Sequence, residues 1–447
     1  MTATDGHTAW QKFICQACGH IYDEAMGDGT LPVGTRLDDI DEGWGCPVCG
    51  ASKDGFELCE QTTHAKGDHT NKAGIVVIGA GLAGWSVVDA LRAIDKDIAI
   101  TLITADDADR YHKPMLSVAI SGQKTPDDLI RSTGRDAAHA ANIRLLADTW
   151  VRDIDAVAKQ VHTTHGDIPY DDLVLAIGAN PIYPPSIDRA MAWHINHLQP
   201  FAKLQARLND SKKHLAIIGA GMVGTEFAED LIRAGHKVSL IDANTRPLSA
   251  LLPKVASDRI LAAITALGVD FIGNALVQSV ERTADGYSIQ MQDGTSKQMH
   301  TLMVDDIVMA TGLMVDEHLP ASAGIDFDRR TGIAVHPTTL QTSAPHIYAI
   351  GDCISIEGVP CRYVAPHRAQ AAAIAGHILQ GVGDYEHKAP MIRLKNKCIT
   401  VTANGLPHAE GDWRIDKDDP EELSLSMYQD GQVIAKALLK TPSKQAT

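Results

Sequence analysis

The chain has 447 residues, a formal charge of −16, and a composition that is 45% hydrophobic and 21% charged. That length allows about three ordinary domains, and that composition excludes a mainly disordered or collagen-like chain. The acidic balance argues against nucleic acid as a partner, because phosphate backbones attract basic surfaces.

The first ten residues, MTATDGHTAW, have neither a basic start nor an apolar run, so no signal peptide is expected. No stretch reaches the roughly 18 uninterrupted apolar residues of a membrane helix. Eight cysteines are too few for a disulfide framework. A reduced, cytoplasmic setting is the expectation. The residues carry no signal for an oligomeric state.

Residues 10–60 read as a small unit rich in acids and aromatics. Its motifs are CQACG and CPVCG, which place Cys15, Cys18, Cys46 and Cys49 as two close pairs. Two such knuckles can surround one tetrahedral ion, and the glycine after each pair permits the tight turn. Four thiolates suit zinc or iron. Phe13, Tyr22, Trp44 and Phe56 are expected to form an aromatic core beside them. The acids Asp23, Glu24, Asp28, Asp38, Asp39, Asp41 and Glu42 read as a solvated face or as a docking surface for a basic partner.

The run FICQACGHIYDEAMGDG, the PVGT turn, Trp44 and the tail ASKDGFE together resemble rubredoxin. The resemblance implies a single iron, Fe3+/Fe2+, held by Cys15, Cys18, Cys46 and Cys49. It carries one electron at a time. This sequence departs from the family at His20, where an aromatic is usual, and in a short loop between Tyr22 and Pro32. A structural zinc ribbon serving as a protein-binding module is the alternative.

The polar run EQTTHAKGDHTNK has no hydrophobic periodicity, so 61–72 reads as a linker. From residue 73 the pattern is a buried strand, a glycine-rich turn and an amphipathic helix: IVVIGAGLAGWSVVDAL. It recurs 140 residues later as LAIIGAGMVGTEFAEDL. Each is a βαβ start of a doubly wound parallel sheet. Gly79, Gly81 and Gly84 form the first GxGxxG, and Gly219, Gly221 and Gly224 the second. The first glycine makes the turn, the second admits a diphosphate, and the third lets helix and strand pack. Two such folds call for two dinucleotides, FAD in the first and NAD(H) in the second.

Ala80, Leu82 and Ala83 lie within the first turn and join the FAD site. The second strand of the NAD unit runs into Asp242, where a carboxylate accepts ribose hydroxyls and repels a 2′-phosphate. NADH is therefore expected over NADPH, although Arg246 nearby could receive a phosphate. In the first unit Thr104 stands at the corresponding place, followed by Ala105, and both join the expected FAD site. Asp106 or Asp107 serves the ribose there, or both are turn residues. The strands DDLVLAIGAN and DDIVMATGLM lead to crossings between domains, with Ala179 on the FAD side and Gly312 on the NAD side. The strand IYAIGDC ends in Asp352, similar to the late strand of two-nucleotide flavoproteins, and that resemblance implies an acid held against the FAD ribityl chain or diphosphate.

The segments TADDADRYHKPMLS, YDDLVLAIGANP, GAGMVGTEFAEDL, ATGL, IYAIGDC and CRYVAP resemble the FAD-dependent pyridine nucleotide oxidoreductases over 73–445, and among them the rubredoxin–NAD reductases. The resemblance implies that Lys113 and Pro114 lie beside the flavin ring and that Glu226 pairs with Lys113. It also implies that Val151 and Val364 touch FAD through their backbones and that Lys395 reaches it from the terminal domain. Residues 73–447 contain only Cys353, Cys361 and Cys398, with no CxxC or CxxxxC, so electrons should leave the flavin directly. The resemblance implies that electrons from NADH pass through FAD to the four-cysteine iron and on to an external redox protein, such as a membrane alkane hydroxylase or an oxygen-detoxifying enzyme. The alternative keeps an NADH-dependent flavoprotein serving another soluble carrier.

The expected fold is α/β, with two Rossmann-like nucleotide domains, a small C-terminal α+β domain, and the rubredoxin-like unit in front. The expected bounds are 10–60 for the metal unit and 61–72 for the linker. The FAD-binding domain is expected in two segments, 73–182 and 305–388, with the NAD domain at 183–304 between them. The C-terminal domain takes 389–447.

Overall fold

The computed structural model describes residues 11–15, 21–24, 31–32, 34–41, 43–46, 52–58, 73–389, 391–405 and 407–442. Cys18, His20, Asp28, Glu42, Cys49 and the linker lie outside the described residues.

In the N-terminal unit the strands Lys12–Cys15, Ile21–Asp23 and Phe56–Leu58 form a three-stranded antiparallel sheet with Lys12–Cys15 in the centre. Cys15, Tyr22, Leu37, Ile40, Cys46 and Phe56 form its buried cluster, with Phe13, Leu31 and Trp44 packed against it. The Trp44 ring lies 5.9 Å from Tyr22 and 5.4 Å from Phe56. Pairs of this kind add about 0.5–1.5 kcal/mol each beyond area burial. The expected aromatic core is therefore present. Glu24 departs from the expected acidic face. It is 2% exposed, accepts hydrogen bonds from the Gln11 and Leu37 amides, and pairs with Arg36 at 2.6 Å. A buried carboxylate needs such donors, so Glu24 braces the fold. Asp38, Asp39 and Asp41 are exposed as expected.

The first large sheet is parallel and runs in the order Ile347–Ala349, Asp172–Leu175, Ile75–Ile78, Ile100–Ile103, Arg144–Leu146. Strands Ile75–Ile78 and Ile100–Ile103 are buried along their whole length. Unbroken apolar runs belong in a parallel sheet covered on both faces. The second sheet has the order Asp270–Ile272, Lys237–Ile241, His214–Ile218, Asp306–Met309, again parallel. Each sheet reverses strand order beside its glycine turn, which is where such sheets bind ligands.

A three-stranded antiparallel meander precedes the fourth strand in both units, at 151–169 and 275–304. The strand Asp306–Met309 belongs to the NAD sheet, so the expected boundary at 304/305 moves. The chain returns to the FAD unit at Leu313–Met314, which pairs antiparallel with Asn180–Pro181 on the outward crossing. The AIGAN and ATG segments are thus the two crossings, side by side. The terminal unit, expected to mix helix and strand, is a five-stranded antiparallel sheet spanning 392–440, with no helix among the described residues.

Candidate active site

At the first glycine turn, Gly79 has φ +102, and a Cβ there would sit 2.3 Å from the Ala176 carbonyl oxygen. A Cβ at Gly84 would fall 1.8 Å from the Gly79 oxygen. Gly81 is different, with nothing within 4 Å of where its Cβ would be. Its side faces open space at the start of the helix Leu82–Ile94, whose N-terminus has no side-chain cap. Uncapped amides at a helix N-terminus fit a diphosphate. The second turn repeats this geometry. Gly219 has φ +107 and faces the Ala310 oxygen at 2.4 Å, Gly224 faces the Gly219 oxygen at 1.9 Å, and Gly221 is open. The helix Met222–Arg233 also starts without a side-chain cap.

The strand ends beside these turns differ. Asp242 accepts the Ala220 amide at 2.5 Å and the Asn244 amide at 2.7 Å, so its carboxylate is fixed at the mouth of the second turn. Arg246 is paired with Asp258, which Lys254 also meets at 2.6 Å. An Arg already held by a carboxylate competes less well for a phosphate. In the first unit Thr104 is buried and donates to Asp106 at 2.7 Å, and the Ala108 amide meets the same oxygen at 3.0 Å. Asp106 is therefore a turn residue. Asp107 and Ala105 are exposed.

Lys113 opens a short 3-10 segment, Lys113–Val118, with Pro114 next to it. The expected Lys113–Glu226 pair does not form. The Lys113 ammonium lies 3.6 Å from Asp352, in the turn Gly351–Cys353 after the strand Ile347–Ala349. Glu226 instead takes Lys395, at 2.5 Å from its ammonium and 3.0 Å from its amide, and the Ser117 hydroxyl at 2.6 Å. The reason is position. Glu226 is 2% exposed on the inner face of its helix, where the terminal domain and the segment around Ser117 meet it. Lys113 keeps 30% of its side chain accessible, yet burial still draws its ammonium below the usual lysine range, with Asp352 opposing.

Val151 begins the first meander. Val364 is 37% exposed, and its carbonyl accepts the His367 amide. The Ala179 carbonyl accepts the Asn196 side chain at 3.0 Å. Gly312, at φ +100, lies in the return crossing.

Sequence reasoning missed Glu229 and Asp230. Glu229 accepts the Lys397 and Cys398 amides, the Asn396 side chain and Arg233, at 2.6–3.1 Å. Asp230 accepts the Ile120 and Ser121 amides at 2.8 and 3.1 Å. With Glu226 they occupy i, i+3 and i+4 on one helix face. That spacing of acids within an amphipathic pattern was the available signal. Burial alone would raise the Glu229 carboxyl, but hydrogen bonds from Cys398, Arg233 and Asn396 outweigh it and hold it low. Burial raises Asp230.

In the metal unit Cys15 and Cys46 are 0% and 3% exposed within one cluster. Two buried cysteines converging there fit the expected thiolate site.

A model of the pyridine nucleotide-disulphide oxidoreductase family matches residues 73–376, and a rubredoxin model matches 12–56. The chain belongs to the pyridine nucleotide-disulphide oxidoreductase family. It carries a rubredoxin domain, and it is an FAD-dependent NAD(P)H oxidoreductase whose cofactors are FAD, NAD(H) and a four-cysteine iron. It is 35% identical over 343 residues to a nitric oxide reductase FlRd-NAD(+) reductase of Klebsiella pneumoniae strain 342, covering 77% of this chain and 87% of that one. A relative of the same name from Salmonella gallinarum is 33% identical over 374 residues, covering 83% and 97%. A putidaredoxin reductase solved in covalent complex with putidaredoxin shares 28% identity at a TM-score of 0.73, covering 83% of this chain and 90% of that one.

The disulfide in the family name has no counterpart in the reductase portion. Cys353 and Cys361 are buried, Cys398 is half-buried, and none of the three is in a disulfide. Burial pushes the Cys353 thiol up to about 12 and raises Cys361 and Cys398 as well. Such thiols are poor nucleophiles. No helix among the described residues is long and apolar enough to cross a membrane.

Proposed function

We propose that this reductase is an NADH:rubredoxin oxidoreductase that serves its own attached rubredoxin, and through it an external acceptor. FAD, when bound, would supply hydride uptake from NADH and one-electron release, and iron held by four thiolates would supply a one-electron carrier. The observation that carries the reading is that one chain joins a rubredoxin domain to a reductase with no dithiol among its described residues.

The residues have these roles. Gly79, Gly81, Gly84 and the amides of residues 80–83 hold the FAD diphosphate. Asp352 receives ribityl hydroxyls, and Thr104 lines the adenosine side. Lys113, steadied by Asp352, places positive charge beside the flavin, and Pro114 packs there. Val151, Ala179 and Val364 border the same group. Gly219, Gly221 and Gly224 hold NADH, Asp242 takes its ribose, and Gly312 flanks it. Glu226 positions Lys395 at the edge of the flavin. Cys15, Cys18, Cys46 and Cys49 ligate iron.

Joining carrier and reductase in one chain raises the carrier's effective concentration, on the order of millimolar for a short tether. The external acceptor is a one-electron protein. An alkane hydroxylase or an oxygen-detoxifying enzyme fits, and the name shared by the relatives adds a nitric oxide reductase.

The test is anaerobic rapid mixing with NADH while the flavin and iron absorption bands are followed separately. Flavin bleaching followed by iron bleaching is expected. Iron bands that stay oxidised while flavin is reduced would reject delivery to the attached carrier. Cys46→Ser should remove all electron transfer to outside carriers and leave NADH reduction of FAD intact.

A further inference from the structure

His367 is the first residue of the helix His367–Gln380. It is 6% exposed, and neither ring nitrogen has a hydrogen-bond partner. A buried imidazole left this way costs stability, so its position calls for a ligand. Its surroundings say which one. A Cβ placed at Gly351 would sit 3.3 Å from His367 Nε2 and 2.9 Å from the Ala83 Cβ. His367 therefore stands where Gly351, next to Asp352, meets the uncapped start of the helix Leu82–Ile94.

We infer that His367 is a ligand of the ribityl–diphosphate chain of FAD. The inference rests on FAD occupying the first nucleotide domain. Burial lowers the imidazole from its usual value, Asp352 opposes that shift and Lys113 adds to it. The ring is therefore neutral at pH 7, with one N–H donor and one acceptor nitrogen. The ribityl–diphosphate chain offers both complements. A phosphate or hydroxyl oxygen accepts the N–H, and a ribityl hydroxyl donates to the other nitrogen. An aliphatic side chain at this position would fill the space and satisfy neither.

The test uses the full chain, stripped of FAD and titrated with FAD by flavin fluorescence quenching. His367→Leu should weaken FAD binding about tenfold or more, the scale of lost hydrogen bonds to a charged or buried group. His367→Gln, which keeps a donor and an acceptor, should recover most of it. The stripped His367→Leu protein should melt no lower than the stripped parent, because it no longer buries an unpaired imidazole. Unchanged FAD affinity in His367→Leu overturns the inference. So does equal weakening in both variants together with a lower melting temperature of the stripped protein. A parent chain that takes up no FAD overturns the underlying reading as well, whereas a normal parent beside an unaffected leucine variant overturns only the role of His367.

Discussion

The two nucleotide units share a chain course and differ in what their glycine helices do. Both set a first glycine at φ near +100 against a neighbouring strand carbonyl, and both leave the second glycine open. Both place a meander before the fourth strand. The helix Leu82–Ile94 then buries Trp85, Val87, Val88 and Leu91 in its own domain, while its acid Asp89 is exposed beside Arg110. The helix Met222–Arg233 buries Phe227, Ala228 and Leu231 in the same way but also buries Glu226, Glu229 and Asp230, and these acids reach two other parts of the molecule. The turn is thus a duplicated part, and the helix behind it has been put to separate use.

The largest effect should come at the open glycines. Gly81→Val and Gly221→Val add a Cβ that meets nothing within 4 Å beyond the adjoining residues, so both should fold. Each should weaken its own dinucleotide by about a hundredfold or more, since the diphosphate loses its approach to the backbone. Titration of FAD and NADH against each variant checks this. If either variant lost both ligands equally, the two turns would not be independent.

The helices should separate next. Glu229→Ala leaves the amides of Lys397 and Cys398 without their acceptor and should cost about 2 kcal/mol, whereas Asp89→Ala at the surface should cost under about 1 kcal/mol. Denaturant melts measure both. The pH dependence follows from the sign of the Glu229 shift. Its folded-state pKa is depressed, so its stabilisation is complete above the unfolded glutamate value of about 4.3 and is lost as pH falls through the folded pKa. The stability advantage of the parent over Glu229→Gln should therefore shrink only below about pH 4.

The smallest effect should be at the strand ends. Asp242→Ala should weaken NADH about tenfold and narrow its advantage over NADPH, whereas Thr104→Ala should change FAD affinity less, because Thr104 is spent on its own turn. Unchanged selectivity in Asp242→Ala would remove that carboxylate from the ribose.

Both glycine turns, the metal unit and the lack of a dithiol in the reductase portion are legible in the sequence because each depends on local spacing. GxGxxG forces a turn whatever surrounds it, and IVVI is apolar enough to announce a covered strand. What depends on distant packing is not legible. The partner of Lys113 is 239 residues away at Asp352, and no local pattern ranks Asp352 against Glu226. The domain boundary moves for the same reason, since Asp306–Met309 reads like its FAD-side counterpart and only pairing with His214–Ile218 assigns it. Glu24 reads as surface charge because its donors, Gln11, Arg36 and Leu37, are brought together only by the folded unit.

The helix Met222–Arg233 starts at one dinucleotide turn and ends among groups belonging to two neighbouring domains. It works as a rivet, with its head at the nucleotide and its shank through the joint. Hydrogen bonds to Glu229 and Asp230 tie that helix to the segment at 120–121 and to the terminal unit, beside the paired crossings at 180–181 and 313–314. Three carboxylates on one helix face thus couple the second nucleotide unit to its neighbours.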